Sequence, residues 1–288
     1  MTPIARLFTT TVIACLCLAT PRIGIAAEQS AIDRIRATGE IILGVRRDAR
    51  PHSYLDANGN PAGYTIEVCQ SVVGRLRAQL GITQLRMRFV PVDATDRFQA
   101  VAEGRIDLLC GAATITLSRR EIVDFSIPTF VDGASVLTLT GTSQDFTALA
   151  GKRIGVRAAT TTEQALIASL RSNAIEAEVH PVADHAEGLR AVETGEIDAY
   201  FGDQSILYAL RDTSAQKDRL VVAGNTLTLE LHGLALPLGD HSFRLEVDRA
   251  LSQLYTSGRM ADIFEATFPN AEPSESIRYI HTFAPVPP

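Results

Sequence analysis

The chain has 288 residues, with 27 basic and 33 acidic side chains and a formal net charge of −6. This acidic balance argues against nucleic acid and anionic membrane surfaces as partners, because both attract basic proteins. Hydrophobic residues make up 46% and charged residues 21% of the chain, as in a globular protein, and the length suits two domains of ordinary size.

The N-terminus has the pattern of a secretory signal peptide. Arg6 precedes a short apolar run over residues 7–20, and small residues at 26–27 precede polar sequence. The run is shorter than the ~20 apolar residues that a spanning helix needs, so a membrane anchor is the less favoured alternative. A lipoprotein cleavage box ending at Cys15 is a further alternative that stays open. We predict a signal peptide over residues 1–27 and a soluble mature protein outside the cytoplasm.

The elements predicted in chain order form two similar series, because two pieces of sequence recur. Residues 42–46 are echoed by 153–157, and residues 100–107 by 191–198. The first series predicts a strand over 41–45, a helix over 64–80, a strand over 86–90 and another strand from Ile106. The second predicts a strand over 152–156, a helix over 161–172, a strand over 178–182, a strand from Ile197 and a helix over 204–210.

Alternating strands and helices predict parallel α/β sheets, and two such series predict two similar lobes. Ligands of open α/β sheets bind beyond the carboxyl ends of the strands. Those ends place four segments in a cleft between the lobes: 46–54, 111–119, 157–163 and 202–205. We expect the functional residues to lie in these segments.

The cysteines fit an oxidising compartment. Cys15 and Cys17 leave with the signal peptide, and Cys69 and Cys110 remain as an even pair. A disulfide between them is favoured over two buried free thiols. No CxxC or HExxH spacing is present, so we expect neither a metal nor a cofactor.

The loop after the predicted strand at 106–110 carries the first candidate binding residues. Thr114 offers a hydroxyl, and the guanidinium of Arg119 can grip a carboxylate with two parallel hydrogen bonds. The alternative is a surface arginine paired with Glu121 or Asp124.

The second lobe offers two more candidate groups. Residues 159–163 open a helix, whose N–H groups and dipole favour an anion, and Thr160 with Glu163 forms a capping box. Asp203 follows a strand and could accept hydrogen bonds from an ammonium. Simple helix capping explains both features equally well.

The motif order resembles the bacterial family 3 extracellular solute-binding proteins, and most closely their glutamate/aspartate-binding members. The resemblance covers nearly all of the mature chain in the right order. The segments that carry it are 44–46, 51–54, 58–59, 63–64, 104–107, 114–119, 123–128, 149–156, 160–161, 195–203 and 254–258.

This resemblance implies a two-lobed periplasmic-binding-protein fold with crossing strands near 138–142 and 228–233. Lobe 1 would then comprise residues 28–140 and 232–288, and lobe 2 residues 141–231. The resemblance also implies a ligand-binding set of Arg46, Tyr54, Arg97, Ala112, Thr114, Arg119, Thr160, Thr161, His185 and Asp203.

The resemblance assigns a role to most of these residues. Arg119, helped by Thr114 and Thr161, would hold an α-carboxylate, and Asp203 an α-ammonium. Arg46, Arg97 and His185 would favour a second carboxylate on the ligand. The alternatives are that Arg46 pairs with Asp48 or Glu67, that Arg97 pairs with Asp93, and that His185 is a solvated loop residue.

Four positions depart from the family's usual pattern and leave the exact ligand open. His52 stands where an aromatic side chain is usual, and Ala112 where many members have a hydroxyl. Ala159 replaces a usual glycine, and Arg157 adds a cation in the second lobe.

The function that follows is capture of an amino acid, glutamate or aspartate, by a monomeric periplasmic protein that serves the membrane permease of an ABC importer, without catalysis. The first alternative is a periplasmic enzyme on the same scaffold, of the cyclohexadienyl or arogenate dehydratase kind, with His52, His185 or a carboxylate as acid or base. The second is a sensory module that passes a closed lobe pair to a separate receptor.

Overall fold

A computed structural model describes residues 30–269 and 271–287, and the predicted signal peptide lies outside the described residues. The α-helices are α1 (Ala31–Thr38), α2 (Tyr64–Gln79), α3 (Arg97–Ala102), α4 (Thr161–Ser172), α5 (His185–Thr194), α6 (Gln204–Thr213), α7 (His241–Thr256), α8 (Arg259–Thr267) and α9 (Glu275–Phe283). Short 3-10 helices lie at Arg119–Glu121, Phe146–Leu149 and Lys217–Arg219.

The strands are β1 (Glu40–Arg46), β2 (Asp48–Ala49), β3 (Ser53–Leu55), β4 (Pro61–Ala62), β5 (Arg86–Val92), β6 (Leu108–Cys110), β7 (Val123–Phe125), β8 (Phe130–Asp132), β9 (Ala134–Leu139), β10 (Arg153–Arg157), β11 (Glu178–Val182), β12 (Ala199–Asp203), β13 (Leu220–Val222), β14 (Glu230–His232) and β15 (Ala235–Pro237). The fold is therefore α/β, as the alternating pattern predicts.

Two five-stranded sheets have equivalent strand orders, β5-β1-β6-β15-β7 in the first and β11-β10-β12-β9-β13 in the second. In each sheet the first three strands run parallel and the fourth runs antiparallel to its neighbours. We call the sheets and the helices packed on them lobe 1 and lobe 2. The echo in the sequence thus corresponds to a repeated sheet.

The repeated residues make the same contacts in both lobes. A Cβ on Gly44 would lie 2.3 Å from Cδ1 of Ile106, and one on Gly155 would lie 2.4 Å from Cδ1 of Ile197. Each glycine therefore leaves room for an isoleucine from the neighbouring turn.

Lobe 1 has the larger core, because α1, α2 and the C-terminal helices α7 to α9 all pack on it. Helix α2 buries Val68, Val72 and Leu76, spaced four residues apart on one face. Cys69 of α2 and Cys110 at the end of β6 form a disulfide, which confirms the predicted pairing.

The lobes are joined where β8 pairs antiparallel with β14. The second crossing lies inside the predicted range 228–233, but the first lies at 130–132 and not at 138–142. Strand β9 already belongs to the sheet of lobe 2, where it pairs with β12. The lobe boundary predicted at residue 140 was therefore too late, and it moves to Gly133, between β8 and β9.

Among residues 30–269 and 271–287, no helix is both long and apolar enough to cross a membrane.

Candidate functional site

Several of the predicted binding residues lie where the two lobes meet. Thr114 of lobe 1 and Thr161 of lobe 2 lie 3.1 Å apart, measured between their hydroxyl oxygens. Arg157 of lobe 2 lies 3.3 Å from Asp48 of lobe 1. Arg46 and Asp203 end parallel strands of their sheets, and Thr114 and Thr161 follow such strands closely. The site is therefore at the carboxyl ends of the strands, as the topology predicts.

Two arginines of lobe 1 share one aromatic ring. The guanidinium carbons of Arg97 and Arg119 lie 4.6 and 4.7 Å from the ring centroid of Phe98. Arg97 donates to the carbonyls of Ala94 and Ala159, and Arg119 donates to the carbonyl of Thr114 at 2.7 Å. Burial, reinforced by the neighbouring arginines, holds the pKa of Arg97 well below its usual value.

Neither of these arginines has a carboxylate within 4.0 Å among the described residues. Asp93 pairs with Arg157 and Asp124 pairs with Arg244, and Glu121 forms no salt bridge among the described residues. The alternative pairings that the sequence left open for Arg97 and Arg119 are therefore not found. Two adjacent, partly desolvated guanidinium groups without a counter-ion favour the approach of an anion.

Arg46 differs from them, because it has a counter-ion. Its Nη2 lies 2.5 Å from Asp48, the alternative partner that the sequence left open, while its Nε is buried without a partner. The other oxygen of Asp48 accepts from Arg157. Asp48 is thus shared by one cation from each lobe and links the two lobes across the cleft.

The start of helix α4 is capped as predicted. Thr160 accepts from the N–H of Glu163 at 3.1 Å, and the Glu163 carboxylate accepts from the N–H of Ala159 at 2.9 Å. The Thr160 hydroxyl also donates to the carbonyl of Arg157. Because an α-helix leaves its first N–H groups without helical partners, those of Thr161 and residue 162 remain for an anion.

Asp203 lies at the end of β12 and does not cap the following helix through its side chain. One oxygen accepts from the Thr162 hydroxyl at 3.1 Å, and the other lies 3.9 Å from Nε2 of His232. Burial and the nearby carboxylates of Asp132 and Glu230 raise the pKa of Asp203 to about 7. A cation beside this carboxyl group would favour its ionised form.

His185 is buried at the start of α5, so it is not a solvated loop histidine. Its Nδ1 lies 2.7 Å from the hydroxyl of Tyr200. Burial lowers the pKa of His185 to about 4, so the ring is neutral at pH 7. It can therefore take part in hydrogen bonding to a ligand without adding a charge.

Two of the predicted residues contribute less than the others. Tyr54 packs beneath Arg50, at 3.7 Å from ring centroid to guanidinium carbon, and lines a surface groove with Glu67 and Arg259. Ala112 has only a methyl side chain and can offer a ligand nothing but its backbone groups.

Sequence reasoning missed a buried acid on the connecting strand β14. Glu230 accepts hydrogen bonds from Thr114 and Thr161, both at 2.6 Å, and from Thr228 at 2.7 Å. Glu230 and His232 lie two residues apart and therefore on the same face of the strand. In the predicted crossing strand, Thr228, Glu230 and His232 alternate with leucines, and this alternation could have indicated the two residues.

A second missed group surrounds the connection between the lobes. His52 of lobe 1 lies 2.7 Å from the hydroxyl of Ser205 of lobe 2, and Ser205 also contacts the carboxylate of Asp132. The ring nitrogens of His232 are buried without a partner, and burial lowers its pKa to about 4. His52, noted in the sequence as a departure, thus joins the lobes through a hydrogen bond.

Among the described residues, no three or more metal-ligating side chains are grouped so that they could hold a metal ion. The cleft between the two lobes has the guanidinium groups of Arg97 and Arg119 on the lobe 1 side and the carboxyl group of Asp203 on the lobe 2 side. This arrangement defines a two-lobed solute-binding protein.

The chain matches the family described as bacterial extracellular solute-binding proteins, family 3, over residues 41–270, and it belongs to that family. It is 30% identical to an L-glutamate/L-aspartate-binding protein of Pseudomonas aeruginosa, over 85% of this chain and 82% of the relative. It is 28% identical to a glutamate/aspartate import solute-binding protein of Salmonella typhimurium, over 88% of this chain and 84% of the relative.

Among solved structures, the fold is similar to an ancestral amino acid-binding protein described as a precursor of cyclohexadienyl dehydratase. The TM-score is 0.72 at 26% identity, and the match covers 83% of this chain and all of the other, at 100%. The family and the two-lobed fold that the sequence predicted are thereby confirmed.

Proposed function

We propose that this protein captures L-glutamate or L-aspartate in the periplasm and delivers it to the membrane permease of an ABC importer. One observation carries the proposal. Among the described residues, the cleft contains two guanidinium groups without a counter-ion, the buried Arg97 and the half-buried Arg119, and in lobe 2 the carboxyl group of Asp203 without a cationic partner. The nearby carboxyl group of Glu230 is instead occupied by hydrogen bonds from three threonine hydroxyls. An acidic amino acid has the opposite set of charges, two carboxylates and one ammonium.

The other buried arginines do not alter this count. Asp48 is the counter-ion of Arg46, and Asp48 and Asp93 are the counter-ions of Arg157. Arg119 donates to the carbonyl of Thr114, and the family resemblance gives the residue at this position the α-carboxylate, so we assign that group to Arg119. Arg97 is then left for the side-chain carboxylate. The glutamate/aspartate names of the two relatives support the same ligand class.

A titration of the purified mature protein tests the proposal. We expect L-glutamate and L-aspartate to bind and to raise the melting temperature. At a ligand concentration 100 times Kd, the free energy of unfolding should increase by about 2.7 kcal/mol. L-Glutamine and L-asparagine should bind at least tenfold more weakly, because they lack the second carboxylate. Equal binding of the amides, or preferential binding of L-arginine, would contradict the assignment. Sedimentation of the same samples tests the expected monomer.

Catalysis on the same scaffold is the second candidate, and Asp203 is the observation in its favour. A buried carboxyl group with a pKa of about 7 has the properties of a general acid. The similarity to the ancestral precursor of a dehydratase points the same way. Incubation with prephenate or arogenate, followed by chromatography of the products, decides between the candidates. We expect no turnover above that of an Asp203→Asn variant.

A further inference from the structure

Glu230 lies on a strand that connects the lobes, and its side chain contacts one threonine from each lobe. It lies on β14, the connecting strand, and its side chain is buried. Its Oε2 accepts from Thr114 of lobe 1 and from Thr161 of lobe 2, each at 2.6 Å. These distances match hydrogen bonds in which a hydroxyl donates to a carboxylate.

The contacts decide where the hydroxyl protons of the two threonines point. A threonine hydroxyl has one proton to donate and two lone pairs that accept. The carboxylate of Glu230 is the stronger acceptor, so it takes both protons, although the hydroxyl oxygens also lie 3.1 Å from each other. Both hydroxyls are then left with lone pairs only, and they can accept from a ligand but cannot donate to it.

This changes the role expected for Thr114 and Thr161. A ligand carboxylate needs donors, and the two side chains can no longer supply them, so it must use Arg119 and the backbone N–H groups at the start of α4. An ammonium needs acceptors, and it finds them in the two hydroxyls and in Asp203. Thr162, the residue after Thr161, donates to Asp203. The Asp203 carboxyl group therefore lies close to the two threonine hydroxyls.

We infer that Glu230 is a positioning residue that orients the hydroxyls of Thr114 and Thr161 as acceptors and so makes the cleft selective for ligands with an α-ammonium group. This inference rests on the proposed function. Because one carboxylate oxygen holds a hydroxyl from each lobe, the acceptor set is complete only when the lobes are together. Recognition of the ammonium is thereby coupled to closure.

Calorimetric titrations of L-glutamate and glutarate, which has both carboxylates but no ammonium, test the inference. The measured quantity is the ratio of the Kd for glutarate to the Kd for L-glutamate. Glu230→Met removes the acceptor, frees the hydroxyls to rotate, and should lower the ratio about tenfold or more. If glutarate binds wild type too weakly to titrate, the Kd for L-glutamate alone should rise by that factor.

Glu230→Gln separates orientation from charge. Its carbonyl oxygen can still accept from both threonines while its amide donates to Thr228, so the ratio should stay within about threefold of wild type. A loss as large as that of Glu230→Met would show that the charge matters and not the hydroxyl orientation, and it would overturn the inference.

Thr228→Val is the matched control, because it removes the hydrogen bond to the other oxygen of Glu230 and leaves both cleft contacts in place. Its ratio should equal that of wild type, and an equal loss in Thr228→Val and Glu230→Met would also overturn the inference. A wild-type protein that fails to bind L-glutamate would refute the proposed function itself, which is a different outcome from an unchanged ratio in Glu230→Met.

Discussion

Lobe 1 and lobe 2 have the same sheet order and the same glycine–isoleucine contacts, yet they bring opposite charges to the cleft. Lobe 1 contributes the guanidinium groups of Arg97 and Arg119, which lack counter-ions within residues 30–269 and 271–287. Lobe 2 contributes the Asp203 carboxyl group and the start of α4. The repeated scaffold sets where a side chain enters the cleft, and the loops after the strands set what it recognises.

The lobes also differ in how they are stabilised. Lobe 1 contains the disulfide and a larger core that includes both ends of the described chain, whereas the lobe 2 core is made of two smaller clusters. Lobe 2 is one continuous segment between the two connecting strands. The two halves of the binding site can therefore be perturbed separately.

Removal of the main cation of lobe 1 has the largest expected effect. Arg119→Ala should lower the affinity for L-glutamate about a thousandfold, since truncating one partner of a buried charge pair costs about 2–5 kcal/mol. Isothermal titration measures the loss. Arg120→Ala, an exposed neighbour, is the control and should bind as wild type does. Wild-type affinity in Arg119→Ala would refute the assignment of this residue.

The disulfide offers a way to weaken lobe 1 alone. The Cys69→Ala/Cys110→Ala variant should lose about 4 kcal/mol of stability, because the bond closes a loop with a sequence separation of 41 residues. Urea unfolding measures the change, and reduction of the wild-type protein should reproduce it. If the lobes unfold in separate transitions, only that of lobe 1 should move. A shift of the lobe 2 transition alone would contradict this view.

The pH dependence of binding tests the contribution of lobe 2 through Asp203. With a folded-state pKa of about 7, above its usual 3.8, Asp203 stabilises the free protein below about pH 4, and this contribution is lost as the pH rises through 7. A ligand ammonium requires the ionised form. Affinity should therefore fall below pH 7 by up to about tenfold per pH unit and level off above it.

Calorimetry between pH 5 and 8 measures this dependence, and Asp203→Asn should abolish it at a lower overall affinity. The buried neighbours His185 and His232 each have a pKa lowered to about 4. They stay neutral over this range and do not contribute to the pH dependence. A flat profile for the wild-type protein would contradict the role of Asp203.

The smallest expected effects test the equivalence of the two lobes. Gly44→Ala and Gly155→Ala each force a Cβ against a buried isoleucine and should cost about 1–3 kcal/mol of stability. Thermal unfolding measures the cost. Shortening the partner, as Ile106→Val or Ile197→Val, should restore part of it in the same lobe only. If only one of the two glycine substitutions lowers the stability, the two glycine positions are not structurally equivalent.

Local sequence patterns predicted most of the fold. The predicted helix over 161–172 coincides with α4, and the pairing of Cys69 with Cys110 needed only their number and compartment. The first crossing strand was misplaced because β8 and β9 follow each other with only Gly133 between them. The tight contact at that glycine, where a Cβ would lie 2.1 Å from the carbonyl oxygen of Thr228, cannot be seen in the sequence.

The site was less predictable than the fold, because its contacts join distant segments. That Asp48 is shared by Arg46 and Arg157 depends on the approach of the two lobes, which no local pattern encodes. The same holds for Glu230, whose hydroxyl partners lie 116 and 69 residues away in the chain. Residue types predicted that this cleft is charged, but only the three-dimensional arrangement distinguishes compensated from uncompensated charges.

The antiparallel pairing of β8 with β14 has a practical consequence for engineering. Asp132 and Glu230 are partners in that pairing, so the points at which the chain enters and leaves lobe 2 are neighbours in space. Lobe 2 is thus an insertion with adjoining ends, the geometry in which whole-domain exchange is best tolerated. A chimaera that keeps lobe 1 with Arg97 and Arg119 and takes residues 134–229 from a relative would redesign ligand specificity by recombination, one half of the cleft at a time.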